Sequence, residues 1–180
     1  MEKENLISRK QINFNENWKF KKGNQEKAKN KKYDDSDWRN LNLPHDFSIE
    51  GDFNQEYASS TAYLPGGIGW YRKRFEIPET YKNKKINIQF DGVYKNSEVW
   101  CNGYFLGKRP FGYISFKYDI TPFLKPGEEN VISVKVDHSD YADSRWYTGS
   151  GIYRNVYLNV HNHLHFKPWG GIFVTTPEIT

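Results

Sequence analysis

Apolar and polar residues alternate over several short segments of the chain, which is the pattern of β-strands with one buried face. The alternation is clearest at residues 86–90, and it recurs at residues 131–137 and 156–161. Residues 17–21 and 69–77 follow the same pattern. Several short strands, each with one apolar face, are therefore predicted along the chain.

Turn-forming residues separate these segments at intervals of about 8–12 residues, the spacing typical of all-β sandwiches. Asn102-Gly103 is a strong hairpin signal between extended residues 98–101 and 104–107. No segment keeps a helical period, and most connections are too short for helical crossovers, so the strands are expected to be antiparallel. The sequence predicts an all-β fold, an antiparallel β-sandwich of the jelly-roll type.

The pattern also suggests domain boundaries. Residues 1–13 are polar and unpatterned, and they are expected to form a flexible arm before a jelly-roll domain at 14–162. Residues 163–180 are interpreted as a linker and the start of a following domain, because the extended segment 172–180 has no partner strand left in this chain. Residues 45–69 form a long irregular segment, and such segments tend to be either functional or disordered.

Composition narrows the possible partners. The chain has 180 residues, of which 37% are hydrophobic and 17% aromatic, so aromatic rings must supply much of the core. The net charge of +4 comes mostly from residues 21–32, an Asn- and Lys-rich segment expected to be solvated, and no nucleic-acid partner is expected. No apolar run approaches the ~20 residues of a membrane span. No signal peptide is visible, but one could have been removed, so a cytoplasmic and a secreted or periplasmic location both stay open.

Few residues suggest a catalytic or metal-binding role. No nucleophile–base, phosphate-loop or dinucleotide motif is visible. His163 and His165 share a strand face but lack a third ligand at a diagnostic spacing, so neither a metal nor another cofactor is expected. The single cysteine, Cys101, is flanked by apolar residues and is interpreted as a core residue.

One connection between predicted strands stands out, because it combines charged, aromatic and glycine residues at positions 143–154. Asp143, Arg145, Trp146 and Tyr147 are the candidate binding residues. A carboxylate accepts hydrogen bonds, a guanidinium donates them, and aromatic rings offer flat apolar faces. The set suits a polar ligand with apolar faces, such as a sugar.

Five motifs in this order resemble the N-terminal sugar-binding domain of glycoside hydrolase family 2, the β-galactosidase and β-glucuronidase group. They are Leu43-Pro-His-Asp-Phe47, Gly69-Trp-Tyr-Arg-Lys-Arg-Phe75, Phe90-Asp-Gly-Val93, Val99-Trp-Cys-Asn-Gly-Tyr-Phe-Leu-Gly107 and Gly149-Ser-Gly-Ile-Tyr-Arg-Asn-Val156. The resemblance runs from about Trp18 to about His161, and the Arg145-Trp-Tyr variant of the loop favours β-galactosidases.

The resemblance implies a galactose-binding-domain-like jelly roll, followed by an immunoglobulin-like domain and a (β/α)₈ barrel. In such enzymes two barrel glutamates hydrolyse β-galactosides with retention, so this chain is expected to hold no catalytic residue. Three alternatives stay open: a free-standing carbohydrate-binding module, the N-terminal domain of a β-glucuronidase or β-mannosidase, and a purely architectural domain. The sugar linkage and the oligomeric state are not indicated.

The resemblance also implies that a residue shortly before Ser150 touches the sugar hydroxyls. Relatives have an aspartate five positions before that serine, where this chain has Arg145, with Asp143 two positions earlier. Either residue could take the role, or the two could form a surface ion pair. Trp146 and Tyr147 could stack on a sugar ring or pack beneath the loop. His45-Asp46 could approach the active site, but a buried turn network is the favoured interpretation. Arg154 could meet substrate, but a structural pairing with a carboxylate such as Asp91 is favoured.

Overall fold

Ten strands form two antiparallel sheets in the computed structural model, which describes residues 9–140, 146–167 and 169–178. The strands are β1 (Arg9–Asn13), β2 (Trp18–Lys22), β3 (Arg39–Leu41), β4 (Gly67–Glu76), β5 (Lys85–Phe90), β6 (Ser97–Cys101), β7 (Tyr104–Arg109), β8 (Phe116–Asp119), β9 (Glu129–His138) and β10 (Val156–His161). Four 3-10 turns occur in the same ranges, at Glu26–Lys29, Ser59–Thr61, Glu79–Tyr81 and Thr121–Phe123.

The smaller sheet has the strand order β1-β10-β5-β8, and the larger has the order β3-β2-β4-β9-β6-β7. From β4 to β6 and again from β7 to β10, successive segments of the chain cross between the two sheets. These crossings give the connectivity of a jelly roll and confirm the predicted fold class. The predicted segments 86–90 and 156–161 lie in β5 and β10, and segment 131–137 lies in the longer β9.

The main core lies between the sheets and is built from their inward-facing residues. Ile88 and Phe90 of β5, Val134 of β9 and Val156 of β10 are all fully buried there. Trp18, on β2, is also fully buried, and its indole Nε1 donates to the carbonyl oxygen of Phe14 over 2.7 Å. The aromatic content of the sequence is thus used largely as core volume.

A second apolar cluster covers the outer face of the larger sheet. Trp70 and Trp100 stack there at 5.4 Å between ring centroids, and Ala28 and Trp38 pack against them from the segment between β2 and β3. The lysine-rich segment 21–32 was expected to be solvated. Most of its lysines lie near the surface, but its buried Ala28 helps to cover this face.

A buried ion pair holds the same covering segment to β4. Arg72 is fully buried, and its Nε donates to Oδ2 of Asp35 over 2.7 Å. Arg74 Nε lies 3.3 Å from Oδ1 of the same carboxylate. Burial opposes ionisation of Asp35, but the hydrogen bonds and charges of Arg72 and Arg74 lower its pKa below the ordinary value. The pairing therefore keeps both charges in place within a mostly apolar layer.

The prediction of a flexible arm over residues 1–13 is wrong for residues 9–13, which form β1. This strand pairs with β10 from Arg9↔His161 to Asn13↔Tyr157. Gln11 Nε2 also donates to Oδ1 of Asn159 over 3.1 Å. Only Ile12 in this strand is partly buried, and the other four residues are exposed. The strand therefore has no alternation of apolar and polar residues from which it could be predicted. Residues 1–8 lie outside the described ranges.

The surroundings of Cys101 and Lys73 show how the fold accommodates a thiol and a lysine within its strands. Cys101 is fully buried, and burial raises the pKa of its thiol to about 12, which confirms a core residue. Lys73, a polar residue on an apolar strand face, donates from Nζ to the carbonyl oxygens of Phe14 at 3.0 Å and Glu16 at 2.7 Å. Burial lowers the pKa of Lys73 to about 8.

After β10 the described residues 162–167 and 169–178 contain no strand, so the start of a following domain there stays a prediction. Leu164 and Phe173 in this segment are almost fully exposed. Among the described residues, no helix has the length and apolarity to cross a membrane.

Candidate functional site

The connection between β9 and β10 lies at one end of the sandwich, beside three other connections. The register Gly67↔His138 and the bridge Tyr94↔Gly151 bring the segments before β4 and after β5 to this end. Of the four predicted binding residues, Asp143 and Arg145 lie outside the described residues. Trp146 and Tyr147 are described, and both are exposed, at 63% and 45%. The structure therefore describes the second half of the predicted loop.

Asp46 fixes this half of the loop from the segment after β3. Its Oδ1 accepts hydrogen bonds from the backbone N–H of Ser150 at 2.7 Å and of Ser48 at 2.9 Å. Its Oδ2 accepts from the Tyr147 hydroxyl at 2.6 Å. Burial and the Asp46 carboxylate raise the pKa of Tyr147, so the hydroxyl stays protonated and donates. One carboxylate thus clamps two separate turns of the chain together.

Backbone hydrogen bonds continue the clamp. His45 N–H donates to the carbonyl of Ile152, and Phe47 N–H donates to the carbonyl of Ser150, both over 2.8 Å. Gly151 exchanges two hydrogen bonds with Tyr94 and has φ +138°, a conformation that favours glycine. The loop is therefore held on both sides before it enters β10.

Glycine is required at position 149 for a different reason. A Cβ added to Gly149 would lie 2.1 Å from Oδ2 of Asp46. No side chain larger than hydrogen fits while the carboxylate keeps its position. Both glycines of the Gly149-Ser-Gly151 motif thus have structural roles.

His45 and Ser150 anchor two polar networks under the loop, of which only the second is fully buried. His45 Nε2 lies 3.0 Å from Oε1 of Glu50, and Nδ1 lies 2.8 Å from the Tyr71 hydroxyl. Ser150 Oγ lies 2.6 Å from Ser48 Oγ and 2.7 Å from His138 Nδ1. These contacts confirm that His45-Asp46 belongs to a turn network.

An aromatic groove adjoins the exposed end of the loop. Trp146 Nε1 donates to the Tyr113 hydroxyl over 2.9 Å. The Tyr113 ring contacts Tyr94 at 5.3 Å and Phe111 at 5.7 Å between centroids. Together with Lys95 these residues line a groove of about 540 Å³. Exposed rings beside a cation form a surface suited to a hydroxylated ligand with apolar faces.

Sequence reasoning missed Tyr94, Phe111 and Tyr113 as neighbours of Trp146. They come from two other connections, β5–β6 and β7–β8, and no spacing along the chain links them to residues 143–147. The available signal was the pair of aromatic residues in Phe111-Gly-Tyr113, directly after Pro110, because a simple turn does not require aromatic side chains.

The predicted ion pair between Arg154 and Asp91 is not found in the described part of the chain. Asp91 Oδ1 instead accepts from Gln89 Nε2 over 2.8 Å. Arg154 is exposed and packs its Cδ close to Gly92. Within the described ranges, no group of three His, Cys, Asp or Glu side chains could hold a metal ion.

Comparison with known proteins identifies the same relationship along nearly the whole chain. The family described as "Glycosyl hydrolases family 2, sugar binding domain" matches residues 12–162. The β-galactosidase BoGH2A of Bacteroides ovatus is 50% identical over 97% of this chain, which covers 21% of that protein. A putative β-glucuronidase of Formosa agariphila is 47% identical over 94% of this chain and 16% of its own length.

Solved structures agree in fold. A β-glycosidase from Bacteroides vulgatus has a TM-score of 0.81 and 57% identity, with 85% of this chain and 20% of that chain covered. A glycosyl hydrolase family 2 member from Bacteroides cellulosilyticus has a TM-score of 0.86 and 42% identity, with 94% of this chain and 23% of that chain covered. The chain thus spans about a fifth of the length of these relatives.

Proposed function

This chain belongs to glycosyl hydrolases family 2, as its sugar binding domain, and we propose that it works as the N-terminal domain of a retaining β-galactosidase. In this proposal the loop at residues 143–147 enters an active site whose catalytic groups lie on another domain. The partner domains would be an immunoglobulin-like domain and a (β/α)₈ barrel. The substrate would be a terminal β-galactoside.

The clamped loop is the observation that carries the proposal. Asp46 holds Tyr147 and Ser150 by hydrogen bonds of 2.6 and 2.7 Å, yet Trp146 remains 63% exposed. A loop that served only to connect two strands would not need a carboxylate from a distant segment to fix it next to an exposed indole. Rigid support under exposed binding groups reduces the entropy lost when a ligand binds.

The chemistry of the loop residues suits a glycone. Asp143 would accept hydrogen bonds from sugar hydroxyls, or Arg145 would donate to them. Trp146 and Tyr147 would pack their rings on the C–H face of the sugar. Retaining hydrolysis needs two carboxylates about 5–5.5 Å apart, and the proposal assigns both to the barrel. No catalytic residue is assigned to this chain.

A β-glucuronidase is the second candidate, and two observations favour it. The relative that is 47% identical is named a putative β-glucuronidase. In addition, a guanidinium such as that of Arg145 forms paired hydrogen bonds with a carboxylate, which a glucuronide has and a galactoside lacks. The two candidates share the domain role and differ in the sugar.

Activity measurements on an enzyme that carries this domain with its barrel test the proposal. We expect hydrolysis of p-nitrophenyl β-D-galactopyranoside with a higher kcat/KM than of the matching glucuronide. The reverse order would favour the second candidate, and Arg145→Ala should then lose glucuronide activity selectively. Absence of both activities would refute both.

Binding by the 180-residue chain alone separates these enzymes from a free-standing carbohydrate-binding module. We expect weak or no affinity for galactosides, because most of the pocket would be contributed by the barrel. Submillimolar binding in a calorimetric titration with methyl β-D-galactopyranoside would favour the binding module.

A further inference from the structure

The outer face of the smaller sheet carries a group of cationic side chains at the end opposite the loop. Arg9 on β1 and His161 on β10 are direct cross-strand partners and point to the same face. His165 follows on the segment after β10 and stacks its ring on His161 at 4.7 Å. These residues and two apolar ones, Leu164 and Phe166, line a groove of about 690 Å³.

His161 has a polar atom that no described residue satisfies. The residue is 2% exposed, and Nε2 has no hydrogen-bond partner within residues 9–140, 146–167 and 169–178. A buried polar atom without a partner costs about 1–3 kcal/mol, so it calls for an explanation. His161 lines the groove, so a ligand bound there would lie beside its ring, and a displacement of the exposed His165 ring stacked on it would bring Nε2 within reach.

The ionisable side chains among the described residues that line the groove are all basic. Burial lowers the pKa of His161, and the positive charges of His165, Arg9 and Lys117 lower it further. Lys85, the other cross-strand neighbour of His161, is already paired with Asp119 at 3.7 Å. The five lining residues include no carboxylate.

We propose that this groove is a binding site for an organic carboxylate with an apolar body. The carboxylate would accept hydrogen bonds from the Arg9 guanidinium and from the Nε2–H of His161. Leu164 and Phe166 would cover the apolar part of the ligand. His161 ends β10, whereas residues 146–147 lie before the start of that strand, so the groove is at the other end of the sandwich from the described part of the loop and is separate from the proposed sugar site.

Sodium benzoate is the probe, with sodium acetate and sodium chloride as comparisons at constant ionic strength. We expect saturable chemical-shift changes of the His161 and His165 ring nitrogens in NMR spectra of the 180-residue chain, with His45 and His138 unaffected. Benzoate should bind roughly tenfold more tightly than acetate because of its apolar ring. Shifts no larger than those caused by chloride would overturn the proposal.

Two charge-removing substitutions on β1 provide the matched control. Arg9→Gln should weaken benzoate binding by at least about tenfold, as expected for loss of a charged hydrogen bond. Lys10→Gln removes the same charge from the next residue, which points to the opposite face, and should change the affinity by less than about twofold. Equal effects of the two variants would overturn the proposal. Arg9 is exposed, so its variant is expected to fold.

The same titration on an enzyme that contains the other domains identifies the source of the carboxylate. Binding in both proteins supports a free organic acid as the ligand. Binding in the 180-residue chain alone supports an Asp or Glu side chain from another domain as the occupant. Binding in neither protein contradicts the proposal.

Discussion

Replacement of Gly149 by alanine tests the clamp most sharply, because the structure defines what the new methyl group would meet. The three nearest atoms to an added Cβ all belong to the Asp46 carboxyl group: Oδ2 at 2.1 Å, Cγ at 2.6 Å and Oδ1 at 3.0 Å. Contacts below 3.0 Å are essentially never seen for a Cβ. The carboxylate must therefore move by about 1 Å or more, which disturbs its hydrogen bonds.

The size of the effect follows from those bonds. Asp46 accepts from Tyr147 over 2.6 Å and from Ser150 over 2.7 Å, and both bonds involve a charged acceptor. Such bonds contribute about 1.5–3 kcal/mol each. Because the loop is partly exposed, water can replace part of the lost hydrogen bonding. We therefore expect Gly149→Ala to lower the free energy of unfolding by about 2–4 kcal/mol. Urea unfolding monitored by tryptophan fluorescence measures this free energy.

A double-mutant cycle separates this clash from a general intolerance of the loop. Asp46→Ala removes all three contacting atoms, so Gly149→Ala in that background should cost less than about 1 kcal/mol. The two substitutions would then be strongly non-additive. If Gly149→Ala costs the same in both backgrounds, or costs nothing in the wild type, the account of the clamp is incorrect.

Three further predictions concern the networks around the site and the sheets. Ser150→Ala should destabilise the chain by about 2–4 kcal/mol, because it removes a buried hydroxyl that contacts both His138 Nδ1 and Ser48 Oγ. Ser36→Ala at the surface should cost under about 0.5 kcal/mol in the same urea assay. Asp35→Asn should cost about 3–5 kcal/mol by calorimetry, since it leaves the fully buried Arg72 charge uncompensated; a loss below about 1 kcal/mol would contradict this. Because the pKa of His161 is lowered in the folded chain, the unfolded chain binds a proton at this residue more readily than the folded chain does. Protonation of His161 should therefore lower the free energy of unfolding as the pH falls below about 6.5. In urea unfolding at several pH values, His161→Gln should reduce the change of the free energy of unfolding with pH. An unchanged pH dependence in this variant would refute the prediction.

Alternation along the chain was sufficient to predict the strands with one buried face. β5 reads as Ile86, Ile88 and Phe90 with polar residues between them, and the structure buries these three side chains. β1 escaped prediction because it is an edge strand, held by backbone hydrogen bonds and by Gln11 rather than by an apolar face. Patterns report burial, so they miss strands whose contribution is mainly backbone pairing.

The candidate site was predictable only in part, for a similar reason. Residues 143–147 stand out because charged and aromatic types are adjacent in the sequence. The groove beside them is assembled from separate connections, as Tyr113 meets Trp146 through a 2.9 Å hydrogen bond between residues far apart in the chain. The clamp by Asp46 likewise spans about a hundred residues. Contacts of this kind follow from the register of the sheets and leave no local signal.

The most direct test of the proposed function is the kcat/KM of Asp143→Ala and Arg145→Ala in an enzyme that contains this domain and its barrel. Phe105→Ala, which removes an exposed aromatic residue on β7, is the control. We predict that at least one of the two loop variants loses about tenfold or more in kcat/KM for a β-galactoside, the loss expected for a hydrogen bond from a charged group to the sugar. The control should retain wild-type activity. Wild-type kcat/KM in both loop variants would contradict the claim that this loop reaches the active site.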